Sequence, residues 1–151
     1  MAKIEPVHSP CYCVSFRHAA GVLSKYYDDA LAPVQLTANQ FFLLVSIVQL
    51  GGCNKTELAQ YTRLDRTTII RNLETLKRKG FVEEVPGATR RNNIVQLTET
   101  GECACREGNV IWKRVQRETR AVLGEEDLEA MWRLMANIDR LEAARTGKEQ
   151  E

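Results

Sequence analysis

Arg66, Thr67, Thr68, Arg71, Asn72 and Thr75 occupy the polar side of one short stretch whose other side carries Ile69, Leu73 and Leu76. Hydroxyl and amide side chains of this length can hydrogen-bond base edges, and arginine can fork onto guanine or pair with a phosphate. The apolar trio recurs at i, i+4 and i+7, the spacing of a helix with one buried stripe. Thr67 and Arg71 point away from that stripe, with Thr68, Asn72 and Thr75 on one flank and Ile70 on the other. Asp65 is placed to cap the helix, its carboxylate favoured by the positive end, and Gly80 to stop it. Lys77 to Lys79 form a basic last turn, which suits the negative end. The chemistry offered is recognition of a major groove by a helix over 65–79. The plain alternative is an amphipathic helix with a solvated face, and the helix alone does not decide between them.

The flanking residues do decide. Asn54-Lys55-Thr56-Glu57 has the form of a capping box, with Asn54 bonding forward and Glu57 bonding back. A short helix through Ala59 and Gln60 follows, then a turn over 61–64. Lys55, at the head of that helix, is counted with the DNA-facing residues. After Gly80, residues 81–85 and 94–97 have strand composition, and Pro86-Gly87 and Asn92-Asn93 are turn formers. The hairpin loop over 86–93 carries Arg90 and Arg91, which suit a narrow, A·T-rich minor groove. Two short helices and an arginine-bearing hairpin make a winged helix-turn-helix.

The order and spacing of these residues resemble the MarR family of bacterial transcription regulators. The likeness rests on Leu64-Asp65-Arg66-Thr67-Thr68, on Arg71-Asn72-Leu73, and on Leu76-Lys77-Arg78-Lys79-Gly80-Phe81-Val82. Arg90-Arg91, Gln96-Leu97-Thr98-Glu99-Thr100-Gly101, Leu31-Ala32-Pro33 and Leu36-Thr37-Ala38-Asn39-Gln40-Phe41 extend it over roughly residues 11 to 145. One departure stands out. The family wing usually has an aspartate two residues before its key arginine, which aligns with Arg91, and here that position is Thr89. The resemblance implies a homodimer on double-stranded DNA, in bacterial cytoplasm and on the nucleoid when bound. It also implies a switch, most often a small aromatic acid held between the dimer lobe and the winged helix.

Charge is distributed in keeping with that reading. The chain is only +1 overall, but residues 63–91 hold eight basic against four acidic residues, net +4. From residue 124 onward there are eight acids and four bases, net −4. Positive charge is concentrated where DNA would lie. At 151 residues the chain is one domain's worth, or a small domain plus an oligomerisation element. Met1 to Pro6 does not read as a signal peptide, and the longest nearly apolar run, 41–50, is too short to span a bilayer. Five cysteines, an odd count, point to reduced thiols in a cytosol. An enzyme built on a cysteine nucleophile is poorly supported. The only histidines are His8 and His18, and neither a glycine-rich phosphate loop nor a nucleophile elbow is present. No cofactor is expected.

The flanking segments read as helices. One runs from about 10 to 32, with Phe16, Ala20, Leu23, Tyr27 and Ala30 recurring at helical spacing and Val22 and Tyr26 widening the stripe. Thr37 caps a central helix over 38–50. Thr98 caps a long helix to about 123, with Ala104, Ile111, Val115 and Val122 inward. After Gly124 a last helix runs to about 145, with Leu128, Met131, Met135, Ile138 and Glu142 at helical spacing and Trp132, Leu134 and Leu141 beside them. That is more apolar surface than a lone terminal helix can hide, and a two-fold dimer would cover it. The expected fold is therefore mostly α with a small β-hairpin wing. It comprises an N-terminal arm (1–9), a helical dimerisation region (10–36 and 98–145), the winged helix-turn-helix (37–97) and a disordered tail (146–151).

Candidate signal-sensing residues follow from this layout. Ser9 and Pro10 read as cap and first position of the opening helix. Cys11 and Cys13 would then lie in its first turn, where the helix dipole lowers a thiol pKa. That is the chemistry of a peroxide or electrophile sensor, and some relatives in the family sense oxidants early in this helix. His18, Tyr26, Tyr27 and Trp112 are candidates to line a small-ligand pocket. A metal-responsive site using Cys11, Cys13, Cys103 and Cys105 is an alternative. Against it, residues two apart on a helix point about 200° from each other and cannot share one ion. A winged helix that binds only another protein is the remaining alternative.

Overall fold

Thr37, Asn54, Asp65 and Thr98 each start a helix, and the computed structural model, which describes residues 11–87 and 93–147, shows the bonds that make them caps. The Thr37 hydroxyl accepts from the Gln40 amide, and the Gln40 side chain accepts from the Thr37 amide, opening α2 (Ala38–Leu50). Asn54 and Glu57 form the second such box at the head of α3 (Lys55–Thr62). Asp65 starts α4 (Arg66–Arg78). Thr98 accepts from the Gly101 amide at the head of α5 (Glu99–Leu123). Before these comes α1 (Tyr12–Leu31), and after them α6 (Glu125–Gly147). Strands β1 (Val82–Val85) and β2 (Ile94–Leu97) pair antiparallel, with Val82 opposite Leu97 and Val85 opposite Ile94. Cys53 adds a single antiparallel bridge to Val95, tying the entry of α3 to the hairpin. The fold is mostly helical with a β-hairpin wing.

The described residues form two compact units, one through Trp112 and one from Lys113. The core lies in the first. Leu43, Leu44 and Ile47 of α2 pack in one cluster with Leu58 of α3, Ile69, Leu73 and Leu76 of α4, and Val82 and Val95 of the hairpin. Leu31 and Ala104, from α1 and α5, belong to the same cluster. The two compact units therefore do not divide at 37 and 97. In the second unit, Gly124 separates α5 from α6, and Arg120 pairs with Glu125 across the break at 2.9 Å.

Several expectations are corrected. The first helix begins at Tyr12, with Cys11 as its extended N-cap residue, so only Cys13 lies within the first turn. Ser9, Pro10 and His8 lie outside the described residues, as does the arm 1–9. The described residues of this chain leave the apolar stripe of α1 uncovered along most of its length. Phe16, Ala20 and Leu23 are exposed, Tyr27 and Ala30 are half-buried, and only Leu31 at the helix end is fully buried. Val122 is likewise exposed, whereas Ala104 and Val115 are buried. On α6, by contrast, Trp132, Leu134, Met135, Ile138 and Leu141 are all exposed, the uncovered apolar surface expected of that helix. The α3 helix extends through Thr62, where Arg63 turns left-handed (φ 55°), two residues beyond the expected end. The last helix reaches Gly147 rather than stopping near 145, and residues 148–151 of the expected tail lie outside the described residues. No single described helix is long and apolar enough to cross a membrane.

Candidate nucleic-acid interface

The α4 helix is fixed at both ends and along one side. At its head, Asp65 Oδ1 accepts from the Thr68 amide at 2.8 Å, and the Thr68 hydroxyl donates to Oδ2 at 2.5 Å. The hydroxyl bond and then the amide bond hold this exposed carboxyl below its ordinary range. At its tail, the Phe81 amide bonds the Leu76 carbonyl and the Gly80 amide bonds the Lys77 carbonyl, both at 2.9 Å. This is the Schellman pattern, and it requires the left-handed φ of 73° that Gly80 adopts. Ile69, Leu73 and Leu76 are buried, which fixes which way the polar side faces.

On that polar side Arg66, Thr67 and Arg71 are exposed, and Thr68, Asn72 and Thr75 are half-buried. The second group is engaged along the helix. Asn72 Nδ2 donates to the Thr68 carbonyl at 2.8 Å, and the Thr75 hydroxyl donates to the Arg71 carbonyl at 3.1 Å. Arg78 in turn donates to the Thr75 hydroxyl at 3.3 Å. With their protons committed, the hydroxyls of Thr68 and Thr75 offer lone pairs outward, while Arg66, Thr67 and Arg71 supply donors. A polar cleft of about 600 Å³ runs between this face and the head of α2, and Asp28, Asn39, Arg71, Asn72, Thr75 and Arg78 line it. The sequence reading missed Asn39 and Arg78, because the cleft exists only where α2 meets α4 in space.

The lysines behave differently from the arginines. Lys55 pairs with Glu84 of β1 at 3.0 Å, and Lys77 lies 3.8 Å from the same carboxylate. Asn93 Nδ2 also donates to Glu84, at 3.3 Å. Lys55 first, with Asn93 and Lys77 adding to it, holds the Glu84 carboxyl below its usual range against the opposing effect of burial. Lys55 thus joins the head of α3 to the base of the wing. The wing tip, with Thr89, Arg90 and Arg91, lies outside the described residues.

The candidate pocket residues divide. Tyr27 and Trp112 line an apolar cavity of about 370 Å³ together with Leu31, Phe41, Phe42 and Val45, whereas His18 and Tyr26 do not line it. An adjoining hollow shares Val45, Gln49 and Asn109 and reaches Cys105. Cys11 and Cys13 are exposed. Cys53 is buried, and loss of hydration, with Glu57 adding to it, pushes its thiol up to about 11. Burial likewise raises Cys105. Among the described residues, no cluster of three or more His, Cys, Asp or Glu side chains is disposed to hold a metal ion.

A capped, core-locked helix with an exposed arginine and threonine face, set beside a hairpin, defines a winged helix-turn-helix protein. The sequence model of the MarR family matches residues 36–87. The M. tuberculosis transcriptional regulator MosR, solved in complex with DNA, is 36% identical and superposes with a TM-score of 0.77 over 89% of this chain and 98% of that one. YwoH of Bacillus subtilis, an uncharacterized HTH-type transcriptional regulator, is 27% identical over 112 residues, which cover 74% of this chain and 82% of YwoH. BpsR of Bordetella bronchiseptica, whose DNA binding is regulated by 6-hydroxynicotinic acid, shares the fold. It has a TM-score of 0.76 at 23% identity, over 89% of this chain and 98% of that one. The chain belongs to the MarR family of transcription regulators.

Proposed function

We propose that this protein is a homodimeric, sequence-specific DNA-binding repressor. It reads a palindrome with the helix over 65–79 in the major groove and the wing over 86–93 in the minor groove. The observation that carries the reading is the exposed row of Arg66, Thr67 and Arg71, held outward by a helix whose opposite stripe is locked in the core and whose two ends are fixed. The DNA complex of MosR supports it. The uncovered apolar faces of α1 and α6 support a dimer, each being a surface that water disfavours and a second copy would cover.

Binding is switched by a small ligand or by thiol oxidation. The cavity beside Tyr27 and Trp112 has room for a compact aromatic molecule, and a ligand that favours one relative setting of two reading heads changes DNA affinity without touching DNA. Exposed Cys11 and Cys13, at the head of α1, are accessible to peroxide, which converts a thiolate to a sulfenic acid. The test is to mix the reduced protein with random genomic duplexes, recover the bound pool and sequence it. An enriched palindrome with half-sites about one turn, roughly 10 bp, apart is expected, and peroxide or ligand should release it. A bound pool with no enriched sequence would overturn the reading in favour of a protein-binding adaptor.

A further inference from the structure

Lys79 belongs by sequence to the basic end of the recognition helix, and its side chain turns away from the row of Arg66, Thr67 and Arg71. Its ammonium donates to the Gln35 carbonyl at 2.6 Å and to Gln40 Oε1 at 3.1 Å. Gln35 is left-handed (φ 57°) and closes the short 3-10 turn Ala32–Val34 that links α1 to α2. Gln40 is 7% exposed, and its Oε1 also accepts the Thr37 amide in the capping box of α2. One cation therefore satisfies the outward carbonyl of the corner and completes the bonding of a buried amide. On the other side of the same corner, Asp28 Oδ1 of α1 accepts the Ala38 amide at 2.6 Å. The corner is thus hydrogen-bonded to α1 through Asp28 and to the tail of α4 through Lys79.

We propose that Lys79 is a positioning residue for DNA recognition. It pins the C-terminal end of the recognition helix to the α1–α2 corner, so that the tilt of α4 in the groove follows the setting of α1, and it does not neutralise a DNA phosphate. This rests on the DNA reading above. A charged hydrogen bond to a buried amide oxygen is among the stronger contacts available to a lysine. Removing it takes from Gln40 Oε1 one of its two donors and leaves the tail of α4 without its tie to the α1–α2 corner.

The test uses full-length Lys79→Met, which keeps the apolar stem, and Lys79→Arg, which keeps a cation. Both are checked for folding by far-UV circular dichroism. Affinity for the selected palindrome and for a random duplex is measured by fluorescence anisotropy across a salt series, and backbone amide exchange is followed over residues 35–40. For Lys79→Met, palindrome affinity should fall roughly five- to tenfold, in the range of changes that act through structure rather than contact. Random-duplex affinity and the salt slope should stay as in the wild type, exchange over 35–40 should quicken, and Lys79→Arg should recover most of the loss. An equal loss on both duplexes, with a slope shallower by about 0.9, would instead make Lys79 a phosphate contact and overturn the proposal. Unchanged exchange, or unchanged palindrome affinity, would also overturn it. A wild-type protein that binds no duplex removes the DNA reading and the positioning role with it, and the exchange data separate that failure from an idle clamp.

Discussion

A methyl group added to Gly101 would sit 1.8 Å from the Phe81 carbonyl oxygen, far inside contact distance. The reason is local: Thr98 bonds back to the Gly80 carbonyl at 2.6 Å and its amide bonds the Phe81 carbonyl at 3.1 Å, so α5 begins pressed against the turn that ends α4. Gly101→Ala cannot be absorbed by rotating a side chain, because the obstacle is backbone. At Gly108 the added atom meets ring atoms of Phe41 at 2.8 Å and 2.9 Å, and a ring can move. Gly108→Ala should therefore cost within the roughly 1–3 kcal/mol usual for overpacking, and Gly101→Ala more. In thermal melts followed by circular dichroism, Gly101→Ala should lower Tm by roughly 10 °C or prevent folding, with Gly108→Ala closer to wild type. Equal melting points for the two would mean that the α4–α5 corner yields more easily than its hydrogen bonds suggest.

At the scale of elements, Glu84 ties the wing to the helices, accepting Lys55 at 3.0 Å from α3 and Asn93 at 3.3 Å from its own hairpin. Because its carboxyl is held below the usual range, the charged form is favoured by the fold. The tie is complete at and above the ordinary carboxylate range and is lost as pH falls through the lowered value. Glu84→Gln should reduce amide protection in β1 and β2 at neutral pH, with the wild type approaching the variant only in acid below the usual glutamate value near ~4.3. Identical protection at pH 7 would show that the strand pairing alone sets the stability of the wing base. These ties also mark what the sequence could and could not tell. The caps at Thr37, Asn54, Asp65 and Thr98 were readable because each has a partner three residues away, and so was the buried stripe of α4, which is a matter of period. The partners of Lys55 and Lys79 lie 29 and up to 44 residues away, so these contacts could not be read from local spacing. Arg66 and Arg71 are exposed, as the helix period alone implies.

At the scale of the molecule, a single copy leaves too much apolar surface in water. Phe16 and Leu23 on α1 and Trp132, Leu134, Met135, Ile138 and Leu141 on α6 are exposed, a density unusual for a monomer. A closed two-fold pairing uses the same patch on both copies and stops at two, whereas other pairings of such faces would go on to aggregate. In the proposed dimer, symmetry would give the DNA reading its specificity, since two identical heads would read two identical half-sites. Equilibrium sedimentation should therefore return twice the 17.1 kDa chain mass at micromolar concentration. Ile138→Glu, which places a charge in that face without touching the core cluster of the first unit, should shift the protein toward monomer. Its affinity for a palindrome should fall toward that for a single half-site, while its affinity for the isolated half-site stays within about twofold of wild type, since contacts distant from the change are additive. A dimer that persists in Ile138→Glu would place the interface elsewhere than on this face of α6. A wild-type monomer that binds the palindrome no better than one half-site would remove the symmetric mechanism altogether.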